Sequence, residues 1–229
     1  KSPIILICCK KLLINQMKFF GFKKKINLFK FDEILEKKLN KNTINIIDVS
    51  LNRSSNKSKN QEYINKYLKV SFNLAFSLIK KGLTNKFING PINKKKFLNK
   101  KYLGVTEFIS KKFKYKKTAM LIYNDELSVC PLTTHLPVKL IAKKISRKLI
   151  SETIDIIDCF YKKHLNKKAK IAVTGLNPHC ESILKFNEDE KILPMVIKNK
   201  FKKGINVKGP YSADTIFLKN NRKNYNVIL

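Results

Sequence analysis

Two of the chain's three histidines, His135 and His179, stand in the stretches Thr133-Thr-His-Leu-Pro137 and Gly175-Leu-Asn-Pro-His179. Each stretch follows a strand-like apolar run and precedes a helical pattern, the place where open α/β sheets hold their ligands. Two more stretches have the same character, Asn-Gly-Pro-Ile-Asn-Lys at 89–94 and Gly-Val-Thr-Glu-Phe at 104–108. With residues 204–210, they hold five of the seven glycines and four of the seven prolines. In a chain so poor in both residues, that placement marks backbone turns of special geometry. An imidazole just ahead of a helix feels the positive end of the helix dipole, which favours the uncharged, metal-binding form. Two such rings at one sheet edge make part of a divalent-metal site, but a metal normally takes three protein ligands. Spacing alone therefore leaves two readings open, a partial metal site and a pair of hydrogen-bonded loop histidines. His164, at the end of a helical run, reads as a C-terminal cap. Glu107, Asp125 and Glu126 read as solvated turn or helix charges. No Gly-x-Gly-x-x-Gly, P-loop or Gly-x-Ser-x-Gly motif occurs, which removes the usual dinucleotide fingerprint and the serine-hydrolase elbow.

Loops of this kind need a scaffold, and the sequence supplies one by alternating strands with helices. A strand over 4–9 leads into a helix over about 10–20, punctuated by Gly21, and a second strand follows at 44–49. After a Ser- and Asn-rich loop at 52–60 comes the clearest helix. A Ser58-x-x-Gln61 capping box opens it, Ile64, Tyr67, Leu68, Ala75, Leu78 and Ile79 lie on one face, and Gly82 closes it. A short strand at 86–89 runs into Gly90-Pro91, and a helix follows over 106–112. Strands at 119–123 and 127–130 flank the turn Asn124-Asp125 as an antiparallel pair. Helices at 138–144 and 147–164 come next, the second striped by Ile150, Ile154, Ile157 and Tyr161, and then a strand at 171–174. Glu188, Asp189 and Glu190 open a further helix and lysines at 198–203 close it, as the dipole favours, with Pro194 kinking or restarting it. The expected class is α/β with a mainly parallel sheet. The chain opens and closes on strand-like runs, so further elements are expected beyond both ends.

Of the 229 residues, 49 are Lys or Arg and 16 are Asp or Glu, a formal charge of +33. That surplus suggests nucleic acid or an anionic surface. Yet all the basic residues except Arg53, Arg147 and Arg222 are lysines, spread from end to end with an excess of Asn and Ile. Nucleic-acid readers favour the bidentate fork of Arg, so the charge reads as compositional bias on solvated faces and no nucleic-acid partner is expected. The apolar run at 3–9 is too short to span a bilayer and is closed by Lys10 and Lys11, so no membrane partner is expected and the default setting is cytoplasmic. Five cysteines without a Cys-x-x-Cys pair indicate neither a disulfide framework nor a zinc knuckle.

Taken in order, Asn-Gly-Pro-Ile-Asn-Lys (89–94), Gly-Val-Thr-Glu-Phe (104–108), Leu-Thr-Thr-His-Leu-Pro (132–137), Gly-Leu-Asn-Pro-His (175–179) and Gly-Pro-Tyr-Ser-Ala-Asp-Thr (209–215) resemble the 4-hydroxythreonine-4-phosphate dehydrogenase family. The resemblance implies an isocitrate- and isopropylmalate-dehydrogenase-like three-layer α/β/α fold, with two domains around a cleft. The expected domains are 1–105 and 106–229. It implies NAD- or NADP-linked oxidation of 4-phosphonooxy-L-threonine in pyridoxal phosphate biosynthesis by a homodimer with a shared active site. It also implies a divalent metal, whether zinc, magnesium, manganese or cobalt, bound by His135 and His179. Thr106 and Asp214 would contact the substrate. Val105 stands where the family usually has a histidine, and Cys180-Glu-Ser-Ile-Leu-Lys stands where a glycine-rich loop is usual. A third metal-binding histidine belongs to a Tyr-His-Asp segment expected after Leu229. A related dehydrogenase acting on another phosphorylated or carboxylated hydroxy acid is the alternative that Val105 leaves open.

Overall fold

The computed structural model describes residues 2–52, 57–99, 101–102, 104–115, 117–181 and 186–229, with backbone alone for 57–59. The chain divides into two compact units, Lys1–Tyr102 and Leu103–Leu229. Val105 thus belongs to the second unit.

Within the described residues, the first unit runs β1 (Ile5–Cys8), α1 (Lys10–Phe19), β2 (Ile26–Phe29), α2 (Glu33–Glu36), β3 (Ile44–Asp48), α3 (Lys57–Lys80) and α4 (Lys94–Leu98). Its strands form a parallel sheet in the order β1-β3-β2. Parallel strands are covered on their faces, and the central strand shows it: Ile46 and Ile47 point to opposite faces and both are buried. Ile47 packs with Ile34 of α2 and Leu78 of α3. Asn45 is also fully buried, and its amide donates to the carbonyls of Ile4 and Asn40, which satisfies a polar group that would otherwise be costly there. On α3, Phe72 and Phe76 meet Phe87, and Phe72 stacks on Phe97 of α4. Ile64, expected on the inner face of α3, is instead exposed. The capping box expected there rests on Ser58, whose side chain lies outside the described residues.

The second unit runs α5 (Val105–Phe113), β4 (Ser128–Val129), a 3-10 turn (Val138–Leu140), α6 (Ile141–Lys144), α7 (Arg147–His164), β5 (Ile171–Thr174), α8 (Glu188–Lys191), α9 (Leu193–Lys202), β6 (Val207–Tyr211), α10 (Lys219–Arg222) and β7 (Val227–Ile228). Its sheet is parallel in the order β4-β7-β5-β6. Side chains alternate across it as the pleat requires. Ile171 and Val173 of β5 join Val227 of β7 in the core built with Ile150, Ile154 and Ile157 of α7 and Val196 and Ile197 of α9. Ala172 and Ile228 point the other way, onto Ile216. Ser146 caps α7 by accepting from the Leu149 amide, and Pro194 opens α9 as a restart after α8.

Several expectations change here. Residues 86–89 form no strand, and the expected antiparallel pair reduces to one bridge between Ile122 and Val129 beside the two-residue β4. Conversely, β2 and β6 lie where no strand was expected. In β6, Gly209 and Pro210, which read as a turn, occupy an irregularity in the pairing of β5 with β6 and are joined by a cis peptide bond. Among the described residues no helix is long and apolar enough to cross a membrane.

Candidate active site

All strands of the second sheet run parallel, so the segments that leave β4, β5 and β6 emerge at one carboxyl edge. His135 lies on the segment after β4, His179 on the segment after β5, and Asp214 on the segment after β6.

The loop after β5 is held from two sides. From α8, the Asp189 carboxylate accepts hydrogen bonds from the Leu176 amide (2.5 Å), the Asn177 amide (2.9 Å) and the Asn177 side-chain amide (2.8 Å). From the segment after β6, the Ser212 hydroxyl and the Ala213 amide both donate to the Pro178 carbonyl, at 2.8 and 2.9 Å. This docking sets His179 Nδ1 3.4 Å from Asp214 Oδ2. The single Ser212 hydroxyl proton is shared between the Pro178 carbonyl and Asp214 Oδ1, and the contact with Asp214, helped by His179, holds that carboxyl below its ordinary value. Cys180 turns back at a φ of +61° with its thiol against Gly175, where burial pushes its pKa up. Any side chain at Gly175 would overlap that sulfur.

The second cluster forms at the start of α5. Gly104 precedes the helix in an extended conformation, Val105 is half-buried, and Thr106 is exposed. The point where a Cβ on Gly104 would sit is 2.7 Å from Glu107 Oε2 and 3.7 Å from His135 Nε2. His135, at a φ of +57°, is thus brought beside the turn that presents Thr106. Glu107, read from sequence as solvated, has Oε2 buried and without a hydrogen-bond partner among the described residues. The segment after His135 is a 3-10 turn that runs directly into the four-residue α6. His164 ends α7 as expected, exposed and beside the Phe160 ring. Beside Ser212, a cavity of about 310 Å³ is lined by Tyr211, Thr215, Asn221 and Tyr225. The hydroxyls of Tyr211 and Tyr225 lie 2.5 Å apart there.

His179 and Asp214 therefore meet, and His135 meets the Gly104–Glu107 turn. Among the described residues no group of three or more His, Cys, Asp or Glu side chains converges as a metal cage. Sequence reasoning passed over Asp189, whose burial is set by tertiary packing, and undervalued Glu107.

Comparison with known proteins puts this edge in context. In fold, the chain matches 4-hydroxythreonine-4-phosphate dehydrogenase from Klebsiella pneumoniae with a TM-score of 0.75 at 22% identity, over 99% of this chain and 71% of that one. In sequence, it is 26% identical to D-threonate 4-phosphate dehydrogenase of Salmonella typhimurium, over 100% of this chain and 71% of the relative. It is 37% identical to 4-hydroxythreonine-4-phosphate dehydrogenase of Aquifex aeolicus, over 56% of this chain and 41% of the relative. The fold is the α/β fold of these dehydrogenases, and the sequence carries no Gly-x-Gly-x-x-Gly fingerprint for dinucleotides. The family model described as pyridoxal phosphate biosynthetic protein PdxA matches residues 1–229, and the chain belongs to that family.

Proposed function

We propose that the protein oxidises 4-phosphonooxy-L-threonine with NAD or NADP as hydride acceptor. The product, 2-amino-3-oxo-4-phosphonooxybutanoate, loses carbon dioxide to give 3-amino-2-oxopropyl phosphate for pyridoxal phosphate biosynthesis. The observation that carries this reading is the docking of two family-like motifs, 175–179 and 209–215, at the Pro178 carbonyl, which turns His179 toward Asp214.

In this reading His135 and His179 hold a divalent ion, and their donor types suit it: imidazole nitrogens favour zinc, cobalt or a similar metal. When bound, the ion supplies Lewis acidity toward the substrate hydroxyl and offsets charge that develops as hydride leaves. The chain's own residues prepare that step. Asp214 faces Nδ1 of His179, which fixes the ring and leaves Nε2 for a ligand. The Thr106 hydroxyl, exposed in the first turn of α5, contacts the substrate beside Val105, and the second Asp214 oxygen is tied by Ser212. The protein works as a cytoplasmic homodimer with a shared site, for which sedimentation of the intact protein should show a dimer.

Val105 favours a second reading, oxidation of D-threonate 4-phosphate, since it removes an imidazole from the substrate shell and a relative aligned along the whole chain bears that name. The two substrates differ at the second carbon, amine against hydroxyl. The test measures reduced nicotinamide formed by the intact protein with each substrate. A kcat/KM at least about tenfold higher for 4-phosphonooxy-L-threonine, about 1.4 kcal/mol of transition-state preference, supports the first reading. The reverse ratio replaces it with the second, and turnover of neither overturns both. His135→Ala and His179→Ala should each lower turnover by orders of magnitude and remove bound metal. Retention of stoichiometric metal and near-normal activity in His179→Ala would sink the metal site.

A further inference from the structure

Asp189 is 1% exposed, and among the described residues its carboxylate is hydrogen-bonded to the strand-end loop that carries His179 and forms no ion pair. Three donors converge on it, two backbone amides and one side-chain amide, all within 2.9 Å. Hydrogen bonds to an ionised acceptor are the strong ones, and two fixed backbone donors are what such a group needs when it leaves water. The arrangement is rigid at its other end as well. Asn187, itself buried, caps α8 by accepting from the Glu190 amide, so the turn that bears Asp189 has one defined geometry.

The bonded amides belong to Leu176 and Asn177, and His179 follows Asn177 by two residues, with Pro178 between them limiting backbone freedom. The same Pro178 carbonyl receives Ser212 and Ala213 from the far side. The loop is therefore clamped between α8 and the segment after β6. With both clamps in place, His179 sits opposite Asp214. Asp189 touches neither His179 nor Asp214, and its effect reaches them through the backbone.

We infer that Asp189 is a positioning residue, a buried carboxylate that fixes the 175–179 loop so that His179 presents its free ring nitrogen at the sheet edge. The inference rests on the reading of His179 as a metal ligand. It goes beyond it by naming a residue outside the site on which that ligand's geometry depends.

The isosteric variant Asp189→Asn keeps volume but replaces one acceptor oxygen with a donor that faces the donors of the loop. In the intact metal-free protein, amide hydrogen exchange at Leu176 and Asn177 should speed up by at least about tenfold, while the amides of Ile171 and Val173 in β5 stay protected. Cobalt(II) affinity, followed by its visible absorption, should fall by about tenfold or more, as loss of an outer support to a metal ligand does. Turnover should fall with it, with KM for the nucleotide within about twofold of wild type. A purely structural role would loosen β5 as a whole, and uniform loss of protection across the strand would count against the inference. Unchanged exchange at Leu176 and Asn177 with unchanged cobalt affinity would overturn it. Should Asp189→Asn fail to fold, Asn177→Ala removes only the third donor, and its expected loss of cobalt affinity is smaller, about threefold; no loss there overturns the inference. His179→Ala separates the two ideas. If His179→Ala keeps cobalt affinity, the metal reading fails; if it loses cobalt while Asp189→Asn keeps it, the positioning inference alone fails.

Discussion

Gly209 offers a sharp test of how β6 is seated. Its φ of +134° lies in a region that L side chains rarely adopt, and a methyl added there would overlap the carbonyl oxygen of Val173. The next atoms in line, the carbonyl carbon and Cβ of Val173, are both at 3.3 Å. None of these is the tip of a flexible side chain, so β5 and β6 must part for a side chain to enter. Ala at such a φ costs on the order of 1–3 kcal/mol in backbone strain. Overpacking against fixed neighbours adds roughly 1–3 kcal/mol. Gly209→Ala should therefore destabilise the intact protein by about 2–6 kcal/mol, a large part of the ~5–15 kcal/mol that holds a typical domain. Two other glycines separate the terms. Gly82 has a φ of +79° and open space where a Cβ would go, so Gly82→Ala should carry only the strain, about 1 kcal/mol. Gly90 has open space and no positive φ, so Gly90→Ala should stay within about 0.5 kcal/mol of wild type or stabilise slightly. Urea unfolding followed by circular dichroism gives the three differences on one scale. Equal values for Gly209→Ala and Gly82→Ala would refute the claim that the Val173 carbonyl blocks the position.

Titration of Asp214 by NMR should give a value below its usual 3.8, and Ser212→Ala should raise it, because the Ser212 hydroxyl bond is the main cause of the depression. A depressed carboxyl stabilises the folded state above its unfolded value, so this contribution should be intact above about pH 3.8 and fade as pH falls through the lower folded value. Tyr225 is held up to about 12 by burial and its bond to Tyr211, so alkaline ultraviolet titration should show a late tyrosinate that Tyr225→Phe removes. With a raised folded value the sign reverses, and its stabilisation is full below about pH 10 and lost as pH rises through 12. Because burial raises the Cys180 thiol whereas Cys159 is exposed on α7, peptide mapping after mild alkylation should find Cys159 modified well before Cys180, and the reverse order would contradict the packing of Cys180 on Gly175.

Elements with a long unbroken pattern were legible in the sequence. The stripe of Ile150, Ile154, Ile157 and Tyr161 predicts α7, and all four are buried in it. The apolar run of β5 is likewise plain because a parallel strand is covered on both faces. Strand β2 hid because Ile26-Asn-Leu-Phe29 is too short to establish a pattern and follows three lysines. Strand β6 hid because Gly209 and Pro210 signal a turn in isolation, and only the approach of β5 explains a strand there. Of the site, His135, His179 and the strand-end loops could be read from residue type and placement. The pairing of His179 with Asp214 joins residues 35 positions apart, so the resemblance named both positions but no local pattern linked them. Asp189 stands between two other acids, and nothing local says which of the three is buried.

The order β4-β7-β5-β6 puts the last of these strands to be synthesised between two earlier ones. Val227–Ile228 pairs with Ser128–Val129, about 99 positions earlier, and with Ile171–Ala172, 56 earlier. On the ribosome, β5 and β6 can join once α9 has formed, whereas β4 has no parallel neighbour within the described sheet until β7 arrives. Until then β4 and one side of β5 present open hydrogen-bonding edges, the kind of surface that recruits chaperones or other chains. The non-local closure that follows is intrinsically slow. The second unit is thus built around a strand that arrives after both of its neighbours, and its vulnerable period during synthesis lasts until that strand is made.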